Sequence, residues 1–89
     1  MKQQQITIVN KLGLHARAAT KFANVAKQYA ASIEVEVAGK SIDGKSIMSL
    51  MLLAASKGTE IVLRTDGNDE DKAMKGLCEL INNRFDEDE

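Results

Sequence analysis

His15, the only histidine of the chain, lies two residues before Arg17 and directly after a loop that contains a glycine. From Ala16 onward apolar residues recur at steps of three and four, which predicts a helix. The first N–H groups of a helix have no intrahelical partner and favour an anion. We therefore expect that a phosphoryl group on His15 would be received by the backbone N–H groups of Ala16 and Arg17 and by the Arg17 guanidinium.

The spacing alone leaves a simpler interpretation of His15 open. A single histidine at a helix start is more often a solvated or capping side chain than a nucleophile. No second histidine accompanies it, and neither does a cluster of cysteines or carboxylates. The sequence therefore predicts no metal site, and we expect no cofactor.

A second segment, residues 39–46, reads Gly-Lys-Ser-Ile-Asp-Gly-Lys-Ser and matches the phosphate-binding loop of nucleotide-hydrolysing proteins. Such a domain needs a parallel sheet of several strands, for which an 89-residue chain is too short. It also needs a Walker B aspartate at the end of a strand, and Asp66 is a poor candidate for that residue. A nucleotide-binding P-loop protein is therefore a remote alternative. The simpler interpretation is a hairpin turn at Gly39 and a helix cap at Ser46.

The helix predicted after Ser46 carries apolar residues on more than one side. One stripe of this helix contains Ile47, Leu50, Met51 and Ala54. Met48 and Leu52 lie well outside that stripe. Either the core is deeper than a thin sandwich allows, or the surplus residues form an exposed apolar patch, which usually marks a partner site.

The remaining elements follow from the alternation of apolar and polar residues. Strands are predicted at Ile6–Val9, Ile33–Val37, Ser41–Asp43 and Ile61–Arg64. Helices are predicted from Ala16, at Ile47–Ala55 and after Asp69–Asp71. The order βαββαβα favours one sheet with every helix on one face. We expect a single domain over residues 1–85 and a disordered acidic tail at residues 86–89.

Composition excludes several classes of partner. The 44% hydrophobic content predicts a folded domain, and the longest apolar run, residues 50–55, is too short to span a membrane. Aromatic residues make up only 3% of the chain, which argues against a base-stacking surface for nucleic acid. Cys78 is the only cysteine and predicts no intramolecular disulfide. We expect a cytoplasmic protein without a signal peptide. We also expect a monomer whose partner is an acidic protein or a phosphoryl group.

Three segments together resemble the HPr family, the histidine phosphocarrier proteins of the bacterial phosphotransferase system. They are Asn-Lys-Leu-Gly-Leu-His-Ala-Arg-Ala-Ala at 10–19, Gly-Lys-Ser-Ile-Met-Ser-Leu at 44–50 and Lys-Gly-Thr at 57–59. The resemblance implies an open-faced α+β sandwich, in which three helices cover one face of a four-stranded antiparallel sheet. Residues 10–12 and 82–89 look more like the nitrogen-related branch, NPr. Most members carry Pro where this chain has Ala18, which puts the rigidity of the loop in question.

The resemblance also implies functional roles. Enzyme I would phosphorylate His15 on Nδ1 with a phosphoryl group from phosphoenolpyruvate, and a IIA domain would receive it, with Arg17 as the neutralising neighbour. Such a carrier is a phosphoryl-transfer intermediate rather than a stand-alone enzyme. The expected partner contacts are Leu14, Thr20, Lys27, Lys45, Ile47, Met48 and Met51, with Leu50 and Leu53 in the core. The alternative is a regulatory binding module controlled by phosphorylation of Ser46 through an HPr kinase.

Overall fold

Four strands and three helices alternate in the predicted order, βαββαβα, in a computed structural model that describes residues 1–53 and 55–86. The strands are β1 (Lys2–Thr7), β2 (Ser32–Val37), β3 (Lys40–Asp43) and β4 (Glu60–Asp66). The helices are α1 (Ala16–Ala26), α2 (Ile47–Leu53) and α3 (Glu70–Asn82), followed by a short 3-10 turn at Arg84–Asp86. None of these helices has the length and apolar content that a membrane span requires.

The strands form one antiparallel sheet in the order β1-β4-β2-β3. Alternate residues of β4, among them Ile61 and Leu63, are buried beneath the helices. The opposite face is polar: Arg64 contacts Glu34 and Glu36, each at 2.7 Å. A strand pleat sends successive side chains to opposite faces, so this pattern leaves one face for the helices. The predicted open-faced α+β sandwich is confirmed.

Several element boundaries differ from the predicted ones. β1 begins at Lys2 rather than Ile6, and the Gln-rich segment was missed because it is an exposed edge strand paired with β4 and shows no apolar alternation. β1 ends at Thr7 rather than Val9, because Ile8 forms hydrogen bonds with Gly58 and Thr59, before β4 begins. The hairpin turn between β2 and β3 lies at Ala38 and Gly39, whose φ angles are 52° and 82°, so Lys40 already belongs to β3. α2 is described to Leu53, and Ala54 lies outside the described residues. Ala55, the last residue of the predicted helix, is not helical, and its carbonyl accepts the Leu14 N–H from the loop before α1.

The segment that follows α3, residues 84–86, packs against the core. Phe85 is fully buried, and its carbonyl accepts a hydrogen bond from Lys21 Nζ at 2.7 Å. Asp86, the first residue of the predicted acidic tail, ends the 3-10 turn. Residues 87–89, the rest of that tail, lie outside the described residues. The division into a domain at residues 1–85 and a tail remains a prediction.

The loop after α1 and the start of α3 are joined by one carboxylate. Asp69 accepts hydrogen bonds from the backbone N–H groups of Ala30 and Ala31, both at 2.8 Å. These two hydrogen bonds hold the pKa of Asp69 below its usual value of 3.8, and the bond from Ala30 has the larger effect. Because the charged form is favoured in the folded state, the ionised carboxylate stabilises the fold.

The Asp69→Asn variant should be less stable than the parent at neutral pH, because an amide has one acceptor oxygen and turns an NH₂ group toward the second N–H. The advantage of the parent is complete above pH 3.8, the usual value for the carboxyl, and should disappear as the pH falls through the lower pKa of the folded state. Urea unfolding of both proteins over this range measures it.

Asp71→Asn is the matched control, because the Asp71 carboxylate lies on the same helical turn, is largely exposed and pairs with Lys2 at 3.2 Å. Its effect on the unfolding midpoint should be small. A stability difference for Asp69→Asn that stays constant in acid would show that the carboxylate charge is not responsible.

Candidate functional site

His15 is the N-cap residue of α1. Its backbone is extended, with φ −77° and ψ −179°, and its carbonyl accepts the Ala19 N–H at 2.8 Å. The Nδ1 atom of its half-buried ring accepts the Arg17 N–H at 3.3 Å. Because Nδ1 is the acceptor, the neutral ring carries its proton on Nε2. The lone pair of Nδ1 is thus directed at the helix N-terminus.

The loop before His15 is held against the segment that follows α2. Gly13 has a φ of +68°, and a Cβ there would collide with the Ala55 carbonyl and lie 2.7 Å from Ser56 Cα. The next N–H, that of Leu14, donates to the same carbonyl at 2.8 Å. Only glycine fits this approach without strain. The Leu14 side chain is 5% exposed, so it supports the loop from the core, which argues against the predicted partner contact at Leu14.

The first turns of α1 bring several predicted site residues together. Ala16 and Arg17 are exposed beside the His15 ring, as the predicted phosphoryl site requires. Thr20, one turn further along the helix, is half-buried, and its hydroxyl donates to the Ala16 carbonyl at 2.7 Å. The Arg17 N–H is the group that contacts Nδ1 of His15 directly.

Two predicted contact residues lie at the other end of α1. Lys27 is the exposed C-cap residue of this 11-residue helix, about 16 Å from its start. Lys45 is near the same end, where its Nζ donates to the Tyr29 carbonyl at 2.9 Å. The structure does not bring either lysine to His15, and the ammonium of Lys45 holds the loop after α1. Sequence reasoning could not find this contact, because it joins residues 16 positions apart.

Ser46 caps α2, as the simpler interpretation of its segment predicts. Its Oγ accepts the Ser49 N–H at 3.2 Å and its carbonyl accepts the Leu50 N–H at 3.1 Å. The P-loop alternative is wrong, because residues 39–46 form a turn, an antiparallel strand and a short loop. A phosphate-binding loop would instead wrap continuously between a strand and a helix.

The exposed side of α2 is apolar. Met48, Met51 and Leu52 are 74%, 44% and 75% exposed, and we call these three side chains the α2 patch. Ile47 and Leu53 are half-buried and pack against the core. The prediction that Leu53 belongs to the core is therefore wrong. Leu50 is fully buried, as predicted. The expectation of a surplus apolar surface is therefore confirmed, and the deeper-core alternative is wrong.

Leu12 was missed as a contact candidate. Leu52, in contrast, was expected among the apolar residues outside the buried stripe of α2, and it is exposed as expected. Leu12, within the loop, is 66% exposed. An apolar residue in a loop was the available signal for Leu12.

The charge around His15 suits an anion. The basic side chains of the neighbouring segments are those of Lys11, Arg17 and Lys57. No aspartate or glutamate occurs in residues 10–20 or 55–59. Across residues 1–53 and 55–86, no three metal-binding side chains of His, Cys, Asp or Glu type cluster together. The N–H donors at the start of α1 and these basic side chains are suited to hold a phosphoryl group.

The chain is similar in sequence to known phosphocarrier proteins. The family model described as the PTS HPr component phosphorylation site matches residues 2–83. Phosphocarrier protein HPr of Pseudomonas aeruginosa is 57% identical over 90 residues, which cover 100% of both chains. Phosphocarrier protein NPr of Shewanella violacea is 41% identical over 96% of this chain and 93% of its own.

Solved HPr structures have the same fold as this chain. A crystal structure of HPr from Thermoanaerobacter tengcongensis superposes with a TM-score of 0.96 at 42% identity, over 100% of both chains. An HPr dimer from the same organism matches with a TM-score of 0.79 and covers 98% of this chain and 100% of its own. The monomeric state expected for this protein therefore remains a prediction. From the family match, the identities and the shared fold, the chain belongs to the HPr family of phosphocarrier proteins.

Proposed function

We propose that the protein accepts a phosphoryl group from enzyme I on Nδ1 of His15 and passes it to a IIA domain of the phosphotransferase system. The observation that carries the proposal is the hydrogen bond from the Arg17 N–H to Nδ1. It directs the lone pair of the ring toward the N-terminus of α1, where an added phosphoryl group would meet backbone N–H donors. Both the sugar and the nitrogen-related branch use this chemistry, and the proposal covers either.

No proton has to be removed from the His15 ring during phosphoryl transfer, because Nδ1 carries a lone pair and not a proton. The Nδ1 lone pair forms the N–P bond while the bond between phosphorus and its donor in enzyme I breaks. The proton of the neutral ring stays on Nε2 throughout. In the second step the His15–phosphorus bond breaks and the IIA acceptor forms the new one. The Arg17 N–H and guanidinium, with Ala16 beside them, would hold the phosphoryl oxygens.

We also propose that partners dock on the surface formed by Thr20 and the α2 patch. Flexible methionine side chains suit a surface that meets several partners. Ile47 borders this surface and is half-buried. A second candidate role is regulation at Ser46: its Oγ lies at the N-terminus of α2, where a phosphate added by an HPr kinase could be accommodated without unfolding the helix.

Replacing His15 should abolish acid-labile phosphorylation by enzyme I and phosphoenolpyruvate, because no other imidazole exists in the chain. His15→Asn is preferable to His15→Ala, since asparagine retains an N-cap acceptor and alanine there costs about 1 kcal/mol. Mass mapping after incubation measures phosphorylation, and thermal unfolding checks the fold. Full phosphoryl uptake by a folded variant would contradict the assignment.

Arg17→Ala should slow phosphoryl transfer in both directions and leave stability nearly unchanged, because the side chain is exposed and the backbone N–H to His15 remains. Arg17→Lys should restore only part of the rate, since an ammonium cannot form the paired contacts of a guanidinium. Rapid-quench kinetics measures both steps. Parent-like rates for Arg17→Ala would reduce Arg17 to a surface charge.

Ser46→Asp and Met48→Asp should both weaken association with enzyme I. Aspartate retains the cap of α2, so Ser46→Asp should stay folded while its charge slows encounter and increases salt sensitivity. Met48→Asp places a charge inside the α2 patch. Gln4→Glu is the control, because it adds the same charge on the exposed edge strand β1.

Affinity for enzyme I, measured at two salt concentrations, distinguishes these outcomes. The control should bind as the parent does. Unchanged affinity in both α2 variants would mean that α2 is not the docking surface.

A further inference from the structure

Asn10 is one of two fully buried polar side chains in the described residues; the other is Thr65. Its Nδ2 donates to the Gly13 carbonyl at 2.9 Å, and its own carbonyl accepts the Gly13 N–H at 3.2 Å. Side chain and backbone of Asn10 thus close the turn that ends two residues before His15. A buried amide is costly to desolvate, whereas an apolar residue of similar size would fill the space without that cost.

The peptide unit between Gly13 and Leu14 is held at both ends. Its carbonyl oxygen accepts from Asn10 Nδ2 at 2.9 Å, and its N–H donates to the Ala55 carbonyl at 2.8 Å. Because a peptide unit is planar, two opposed hydrogen bonds fix its rotation. Only the backbone of Leu14 then separates this unit from His15, whose ring accepts the Arg17 N–H at the N-terminus of α1.

We propose that Asn10 is a positioning residue for phosphoryl transfer. Its Nδ2 fixes the Gly13–Leu14 peptide, and through it the direction of Nδ1 of His15. This inference rests on the proposed function of His15. A misplacement of a reacting atom by about 1 Å can lower a rate by about 100-fold, so loss of the Asn10 donor should slow transfer between about 10- and 100-fold.

The test compares Asn10→Ala and Asn10→Ser with Thr65→Val. Serine retains a donor that can close the same kind of turn, so Asn10→Ser should recover part of the rate. Thr65→Val is the matched control, because it removes the other buried side-chain donor, whose Oγ1 bonds the Glu70 carbonyl at 2.9 Å, away from His15. Thermal unfolding shows whether the variants lose comparable stability.

Two readouts separate positioning from stability. In steady-state transfer from enzyme I, Asn10→Ala should lower kcat and leave KM unchanged, because the docking surface is intact. The ¹⁵N shifts of the His15 ring should show Nε2–H in the parent and in Thr65→Val, and a mixture of tautomers in Asn10→Ala. Asn10→Ser serves both readouts where Asn10→Ala does not fold.

Parent-like kcat and ring shifts in a folded Asn10 variant would overturn the inference. An equal loss of kcat in Thr65→Val would also overturn it, since stability alone would then account for the effect. If the parent itself is not phosphorylated on His15, the proposed function fails. The ring shifts still decide in that case whether Asn10 sets the direction of the imidazole.

Discussion

The hydrogen bond from the Leu14 N–H to the Ala55 carbonyl, 2.8 Å long, joins the two segments on which the site depends. It ties the loop before α1 to the segment after α2, although the two are 41 positions apart in sequence. The close approach needs Gly13 at a positive φ. The contact therefore holds the loop that carries His15 against the segment that follows α2.

Several acidic side chains take part in contacts that stabilise the fold, and none lies in the sequence segments around His15. The acidic residues at the start of α3 are used structurally: Asp69 accepts two backbone N–H groups, and Glu70 accepts the Gly67 N–H at 3.2 Å. On the open face of the sheet, Arg64 pairs with Glu34 and Glu36. The net charge of −1 therefore hides a local positive field around His15, and local field rather than net charge governs an anion site.

Sequence patterns predicted elements where local periodicity reflects burial, as in β2 and β4. They missed the first residues of β1, because an exposed edge strand of Gln3, Gln4 and Gln5 has no buried face to create a pattern. Gly76 is a second feature that local sequence patterns do not explain. A glycine weakens a helix in isolation, and only the structure shows that the Tyr29 hydroxyl packs against Gly76. The roles of Leu14, Lys45 and Asn10 were likewise hidden, since each depends on partners brought close by the folded chain.

His15 and Arg17 could be proposed as the site from the sequence because both chemical requirements are local: an imidazole and the start of a helix. The structure adds that the capping and nucleophilic interpretations of His15 are compatible. In the unmodified protein Nδ1 accepts the Arg17 N–H; with a phosphoryl group on Nδ1, an oxygen of that group can accept the same N–H. The helix N-terminus then has an acceptor in both states. Under the proposed function, α1 therefore need not unfold or lose its cap during the cycle, and the free energy of transfer is not spent on remaking the fold.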